Sequence, residues 1–202
     1  MKREIFFVTG TDTGVGKTVL TVLLVKYLRE SGVNAASLKP ICSGGRTDAR
    51  KIYEAMNKAL SLDEINPWHF RAAIAPLMAA RAEKRKVKLS QVLAHVRALQ
   101  RRFDVLLIEG AGGLLSPLGE GFDSRDLIVT LRAMPIIVAQ NKLGTVNQVL
   151  LTLEALPKNL RAKSRVVLVS PEKPDASTKT NAKLLAEFFD PGKVSLLPRL
   201  NK

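Results

Sequence analysis

Cysteine is nearly missing from this chain. Cys42 is the only one among 202 residues, so no intramolecular disulfide can form. Long apolar runs are missing too: none approaches the roughly 18 residues that a membrane-spanning helix needs. Met1-Lys2-Arg3-Glu4 leads directly into the first apolar segment, without the longer stretch and cleavage site of a secretory signal. These features predict a cytoplasmic protein with no membrane partner. Acidic residues are in short supply, 18 against 32 Lys and Arg, for a net charge of +14. Such an excess invites a nucleic-acid or acidic-surface partner. Aromatic residues make up only 5% of the chain, however, and none interleaves with the basic clusters at 81–88, 97–102, 161–165 and 179–183. A stacking platform for bases needs that interleaving. The clusters therefore read as solvated helix faces and loops, and nucleic acid is not an expected partner. The two histidines, His69 and His95, stand isolated and read as structural or solvent-facing, and Trp68 as packing or a pocket wall.

Hydrophobic residues make up 46% of the chain, which predicts a packed core and one domain over residues 1–202. Short apolar runs of β-type residues at 5–8, 35–38, 105–108, 136–139, 166–169 and 194–197 read as strands. Between them the spacing predicts helices over 19–30, 48 to about 60, 76–82, 89–102, 126–132, 146–156 and 181–189. Pro40 is expected to end the second strand and leave 41–45 as a loop, and Asn66-Pro67 breaks the chain again. The alternation argues for an α/β sandwich with a mainly parallel sheet covered on both faces. Ligands of such sheets bind beyond the carboxyl ends of the strands. The loops there carry Lys17, Lys39, Glu109, Asn141 and Ser170, which one site could collect.

The most informative stretch is Gly10-Thr11-Asp12-Thr13-Gly14-Val15-Gly16-Lys17-Thr18. It lies between the strand 5–8 and an apolar helix beginning Val19-Leu20, the setting of a phosphate-binding loop. Glycines let several N–H groups turn toward one anion, and the helix start adds its positive dipole end. Lys17 would meet the β- and γ-phosphates, and the Thr18 hydroxyl would ligate Mg²⁺. The loop is a variant: Thr11 stands where the usual pattern G-x-x-x-x-G-K-[ST] has its first glycine. These features predict a three-layer sandwich of the P-loop NTPase type.

Mg²⁺ favours one or two carboxylates together with phosphate oxygens. Glu109 follows a buried strand, where a lone carboxylate is costly, and Asp48 opens a helix, where it would also serve as an N-cap. With Thr18 they form the candidate metal set. Lys39, at a strand end before a proline, could join Lys17 in neutralising a transferring phosphoryl group.

Taken together, the motifs resemble dethiobiotin synthetase. They are the loop at 10–18, Leu-Lys-Pro-Ile-Cys-Ser-Gly at 38–44, Thr-Asp-Ala at 47–49, Ile-Asn-Pro-Trp-His-Phe at 65–70, Glu-Gly-Ala-Gly-Gly-Leu-Leu-Ser-Pro-Leu at 109–118 and Lys-Leu-Gly-Thr-Val-Asn at 142–147. The resemblance runs in order over roughly residues 1–155, and threonine at the first-glycine position belongs to it. It implies an ATP-dependent ligase of biotin synthesis. Its substrates are 7,8-diaminononanoate, CO₂ and ATP; a carbamate forms, is phosphorylated, and closes to dethiobiotin with release of ADP and phosphate. Lys39, Lys17 and Thr11 would be the catalytic residues. Gly14, Val15, Gly16, Lys17, Thr18, Val19, Asp48, Glu109, Gly110, Ala111 and Gly112 would hold ATP, with Ser170, Pro171, Pro198, Arg199 and Leu200 around its base. Ser43, Gly112 and Gly113 would meet the substrate, and Thr18, Asp48 and Glu109 would hold Mg²⁺. A homodimer is implied, in which Gly144, Thr145, Val146 and Asn147 of a neighbouring copy receive the substrate's carboxylate at a helix start.

One departure stands out. The strand 166–169 should be followed by an asparagine that reads adenine, and Ser170-Pro171 stands there instead. A serine makes fewer paired contacts to a base edge than an amide, so looser nucleotide choice is expected. Rival readings are a partitioning or septum-positioning ATPase binding DNA or membrane, a related synthase acting on a different acid, and a degenerate nucleotide-binding module. The first would carry a lysine where this chain has Asp12. Ser43 and Glu109 fit the second less well, and the intact Lys17, Thr18, Lys39, Asp48 and Glu109 argue against the third.

Overall fold

The computed structural model describes residues 3–198. Its main sheet has six strands in the order β2-β5-β1-β6-β7-β8, every neighbouring pair parallel. In chain order these strands are β1 (Glu4–Gly10), β2 (Ala35–Leu38), β5 (Val105–Glu109), β6 (Met134–Gln140), β7 (Arg165–Val169) and β8 (Val194–Leu197). The connecting helices flank the sheet, as parallel crossovers require. Helix α1 (Lys17–Glu30) packs on β1, β2 and β5, α6 (Ser124–Leu131) on β1, α7 (Thr145–Glu154) and α8 (Lys158–Arg161) on β6, and α9 (Asn181–Phe188) on β8. The other helices are α2 (Thr47–Ala55), α3 (Leu62–Ile65), α4 (Pro76–Ala82) and α5 (Leu89–Gln100).

The near-continuous apolar runs of the inner strands follow from burial on both faces. Side chains alternate across a strand, and the two faces feed two apolar clusters. Phe7 of β1 and Ile137 and Ala139 of β6 lie in the larger, whereas Val8, Ile136 and Val138 lie in the smaller with Val15 and Leu20. Among the described residues no helix is long and apolar enough to cross a membrane.

Two expectations are corrected. Residues 41–43 are not loop: β3 (Ile41–Ser43) pairs in parallel with β4 (Trp68–Phe70) as a separate two-stranded sheet. Proline removes only its own donor, and the Pro40 carbonyl still accepts from the Trp68 N–H at 3.0 Å. Helix α2 stops at Ala55, short of the expected Leu60. Asn57 and Lys58 take left-handed backbone (φ 51° and 60°) and end it, while buried Met56 and Leu60 prolong the apolar pattern past the true end. Helix α3, strand β4 and helix α8 had no counterpart in the sequence pattern, being three or four residues each.

Phe7 is fully buried at the middle of the sheet. Phe7→Ala should lower stability by about 3–5 kcal/mol in urea denaturation; a loss below about 1 kcal/mol would contradict its place in the core.

Candidate active site

Strand register builds the site. Leu38 at the end of β2 pairs with Ile108 of β5, so the next residues, Lys39 and Glu109, leave the sheet side by side. Val8 of β1 pairs with Glu109, and the glycine-rich loop begins two residues later. Three consecutive strand ends thus deliver the loop, a carboxylate and an ammonium to one edge.

The loop folds back tightly over Gly10. A Cβ there would lie 2.8 Å from the Val15 side chain and 3.1 Å from Lys17 Nζ. The close approach that forbids a side chain therefore falls at Gly10, one residue before the usual first-glycine position, which Thr11 occupies. Gly16 caps α1 with φ 102°, and a Cβ on it would press on Val169 at 3.1 Å. This contact sets the end of β7 against the loop.

Lys17 Nζ donates to the Asp12 carbonyl oxygen at 2.8 Å. The Thr18 hydroxyl donates to Glu109 Oε1 at 2.6 Å, and Lys39 Nζ donates to the same oxygen at 2.5 Å. Lys39 also pairs with Asp48 Oδ2 at 2.9 Å. Lys39 and Glu109 are 5% and 1% exposed, so Lys39 is no surface lysine. Asp48 is not the N-cap of α2; that place is held by Arg46, leaving the carboxylate free to face Lys39.

The two lysines are displaced in opposite directions. Burial, followed by the nearby Lys39 charge, lowers Lys17 to about 8. Burial also works against the Lys39 charge, but Glu109 and Asp48 outweigh it and the pKa rises. For Asp48 burial is likewise outweighed, here by Lys39, and its pKa falls.

A cleft of about 570 Å³ opens over this cluster. Of the residues singled out in the sequence, Gly14, Gly16, Lys17, Thr18, Val19, Lys39, Ser43, Asp48, Glu109, Ala111 and Gly112 line it. Val15 instead packs in the smaller apolar cluster, and Gly110 faces Phe7 and Ser124. Thr11 and Gly113 lie in a shallow groove beside Leu151 and Thr152 of α7. Gly144 caps α7 with φ 88°. Thr145 is buried there, Val146 half-buried and Asn147 exposed, and none of the four lines the cleft. Ser170 donates its N–H to the Leu197 carbonyl at 2.9 Å; Ser170, Pro171 and the exposed Pro198 also stand apart from the cleft. Arg199 and Leu200 lie outside the described residues.

The donors suit Mg²⁺. Among the described residues there is no cluster of three or more His, Cys, Asp or Glu, as a self-sufficient metal cage would require. Two carboxylates and a hydroxyl are the partial set that Mg²⁺ completes with phosphate oxygens and water. Glu109 Oε2 is buried without a hydrogen-bond partner, an acceptor poised for a cation.

Several contributors escaped the sequence reading. The segment Ala73–Pro76 walls the cleft. Asn66 is fully buried and holds the Lys39 carbonyl at 2.6 Å. In the sequence it stands in the Ile-Asn-Pro-Trp-His-Phe motif at 65–70 and as a chain break before Pro67, and neither assigns it a role in the site. Asn141, expected with Lys17, Lys39, Glu109 and Ser170 at one site, does not line the cleft; it is buried at the end of β6, where its Nδ2 donates to the Thr178 carbonyl at 3.0 Å and its Oδ1 accepts from Asn181 at 2.8 Å. His95 is structural: its Nε2 bonds to the Glu64 carbonyl at 2.7 Å and its ring meets Trp68 edge-on.

A family model described as an AAA domain matches residues 4–201. Among curated proteins, the ATP-dependent dethiobiotin synthetase BioD of Akkermansia muciniphila is 41% identical over 186 residues, spanning 92% of this chain and 87% of that protein. The protein of the same name from Anaeromyxobacter dehalogenans (strain 2CP-1) is 41% identical over 198 residues, 95% and 88% of the two chains. That of Bacillus velezensis is 32% identical over 203 residues, 97% and 87%.

The depressed Lys17 pKa has a measurable consequence. Near pH 8 much of its ammonium is deprotonated, and an incoming polyphosphate raises the pKa by favouring the charge. Calorimetry in buffers of different ionisation enthalpy should therefore show proton uptake on nucleotide binding at pH 8 and almost none at pH 6.5. Binding heats independent of buffer at pH 8 would contradict the buried, lowered Lys17.

Proposed function

The chain belongs to the ATP-dependent dethiobiotin synthetase family, and we propose that it carboxylates 7,8-diaminononanoate with CO₂ and closes the ring with ATP, giving dethiobiotin, ADP and phosphate. The observation that carries this reading is the meeting of Lys17, Thr18, Lys39, Asp48 and Glu109 at the mouth of one cleft beside the phosphate-binding loop.

In the proposed sequence one amine of the diamine adds to CO₂, forming a C–N bond and losing a proton to give the carbamate. Ser43, on the cleft wall, contacts the substrate, and Gly112 and Gly113 let it approach the backbone. A carbamate oxygen then attacks the γ-phosphorus of ATP as the bond to ADP breaks. Lys17 and Lys39 neutralise the charge spread over the phosphoryl oxygens, whose stabilisation is most of what a protein contributes to this step. Thr11, whose buried hydroxyl has no hydrogen-bond partner, supports the carbamate. Thr18, Asp48 and Glu109 would hold Mg²⁺, which when bound supplies further neutralisation of the phosphate charge. Finally the second amine attacks the carbamate carbon, phosphate leaves, and the ureido ring closes.

The proposal includes a homodimer. Leu115 and Leu151 are 51% and 62% exposed and line the groove that holds Thr11 and Gly113, an apolar face suited to a second copy. The start of α7, residues 144–147, would receive the substrate's carboxylate from across that interface.

Incubation with the diamine, bicarbonate, Mg²⁺ and ATP should yield the cyclic urea by mass spectrometry, and its absence would overturn the assignment. Lys39→Ala should keep nucleotide binding while kcat falls about 100-fold or more; an unchanged rate removes Lys39 from the mechanism.

Base choice is proposed to be loose. Ser170-Pro171 supplies no amide, and the Asn141 carboxamide at the neighbouring strand end is engaged by Thr178 and Asn181. Without a polar pair matched to the adenine edge, discrimination is small. Turnover with ATP, GTP and CTP should agree within about tenfold, and a strong preference for ATP would contradict this.

A further inference from the structure

Strand β2 leaves the main sheet at Leu38, and β3 enters the small sheet at Ile41. The corner between them, Lys39-Pro40, belongs to neither ladder. Because Pro40 has no N–H, this buried corner offers three backbone groups: the Lys39 N–H and the two carbonyls. One short segment, from Ile65 at the end of α3 to Trp68 at the start of β4, takes all three. The Lys39 N–H donates to the Ile65 carbonyl at 3.0 Å, and the Trp68 N–H donates to the Pro40 carbonyl at 3.0 Å. The Lys39 carbonyl accepts from Asn66 Nδ2 at 2.6 Å. The opposite end of the same carboxamide, Asn66 Oδ1, faces the Cys42 thiol at 3.2 Å, whose single proton it shares with the Gly45 carbonyl at 3.0 Å.

The same stretch of chain also reaches the start of α2. Arg46, which immediately precedes α2, donates through Nη2 to the Leu62 carbonyl at 2.6 Å and to the Asn66 carbonyl at 3.0 Å. Residues 62–66 thus hold the backbone under Lys39 and the Arg46 side chain two residues before Asp48, and the charged ends of Lys39 and Asp48 meet at 2.9 Å. Asn66 itself is fully buried and does not line the cleft, so any effect on chemistry must pass through the residues it holds, and Lys39 is the one its carboxamide grips most closely.

We propose that Asn66 is a positioning residue: its carboxamide fixes the Lys39-Pro40 corner so that the Lys39 ammonium meets Glu109, Asp48 and the transferring phosphoryl group. The proposal rests on the role given to Lys39 above. The residue type fits the task. A carboxamide offers a donor and an acceptor in one plane, whereas a carboxylate would set an acceptor against the Lys39 carbonyl. An alanine would leave that carbonyl buried and short of a partner.

The test is a double-mutant cycle over Lys39→Ala and Asn66→Ala, reading kcat, KM for ATP and nucleotide affinity. Asn66→Ala should lower kcat about 10- to 100-fold, the range for a reacting group misplaced by about 1 Å, with nucleotide affinity within about threefold. In the Lys39→Ala background it should cost nothing further, because groups acting as one unit are non-additive. Equal losses in both backgrounds, or no loss from Asn66→Ala in the native background, overturn the proposal while leaving Lys39 in place. Full activity of Lys39→Ala alone overturns the Lys39 role and the proposal with it. If Asn66→Ala does not fold, the same cycle is read with Asn66→Ser, which keeps a shorter donor. Loss of the cooperative thermal transition in both variants makes the carboxamide a structural element only and overturns the proposal.

Discussion

The Lys39 ammonium sits between two carboxylates, with Glu109 as closed to water as itself and Asp48 open to the cleft, its side chain 43% exposed. Each partner needs the others. A buried charge without a counter-charge is strongly unfavourable, and removing one member of such a set typically costs about 3–5 kcal/mol. Lys39 between them holds the Asp48 pKa down and sets both carboxylates side by side, as oxygen ligands for a divalent cation require. The Thr18 hydroxyl bonded to Glu109 ties the cluster to the phosphate-binding loop. The site is thus one electrostatic unit spread over four segments of the chain.

That unit depends on strand order. β5 lies between β2 and β1, so Glu109 emerges with Lys39 on one side and the glycine-rich loop on the other. A slip of one residue between β2 and β5 would turn Lys39 toward the opposite face of the sheet. The apolar runs hold that register because consecutive residues of β5, Leu106, Leu107 and Ile108, are all buried with Ala36 and Leu38 of β2 in the larger cluster. Core packing and site geometry are therefore the same constraint seen at two scales.

This also explains what could be read in the amino-acid order and what could not. β1, β5, β6 and β7 are legible because burial on both faces makes them continuous apolar runs. The loop from Gly10 to Thr18 is legible because its glycines and the Lys-Thr pair carry their own chemistry. Glu109 stands out as an acid directly after such a run. Lys39 is harder: a lysine before a proline looks exposed until strand pairing sets it beside Glu109. Asn66 stands in a recognisable motif, but its role was not legible, since it arises from a corner and a segment 27 residues apart. The short elements around it carry too few residues to show any period. The left-handed Asn57 and Lys58 hide the end of α2 for a related reason, because the apolar pattern runs on after the helix has stopped.

In the proposed reaction both ammonium groups reach the terminal phosphate beside the bound diamine. A crystal structure with a non-hydrolysable ATP analogue, Mg²⁺ and the diamine tests it most directly. The predicted result is Lys17 Nζ and Lys39 Nζ each within hydrogen-bond distance of a γ-phosphate oxygen, with an amine of the substrate adjacent. A γ-phosphate bound out of reach of Lys39, or a diamine seated away from this cleft, would contradict it.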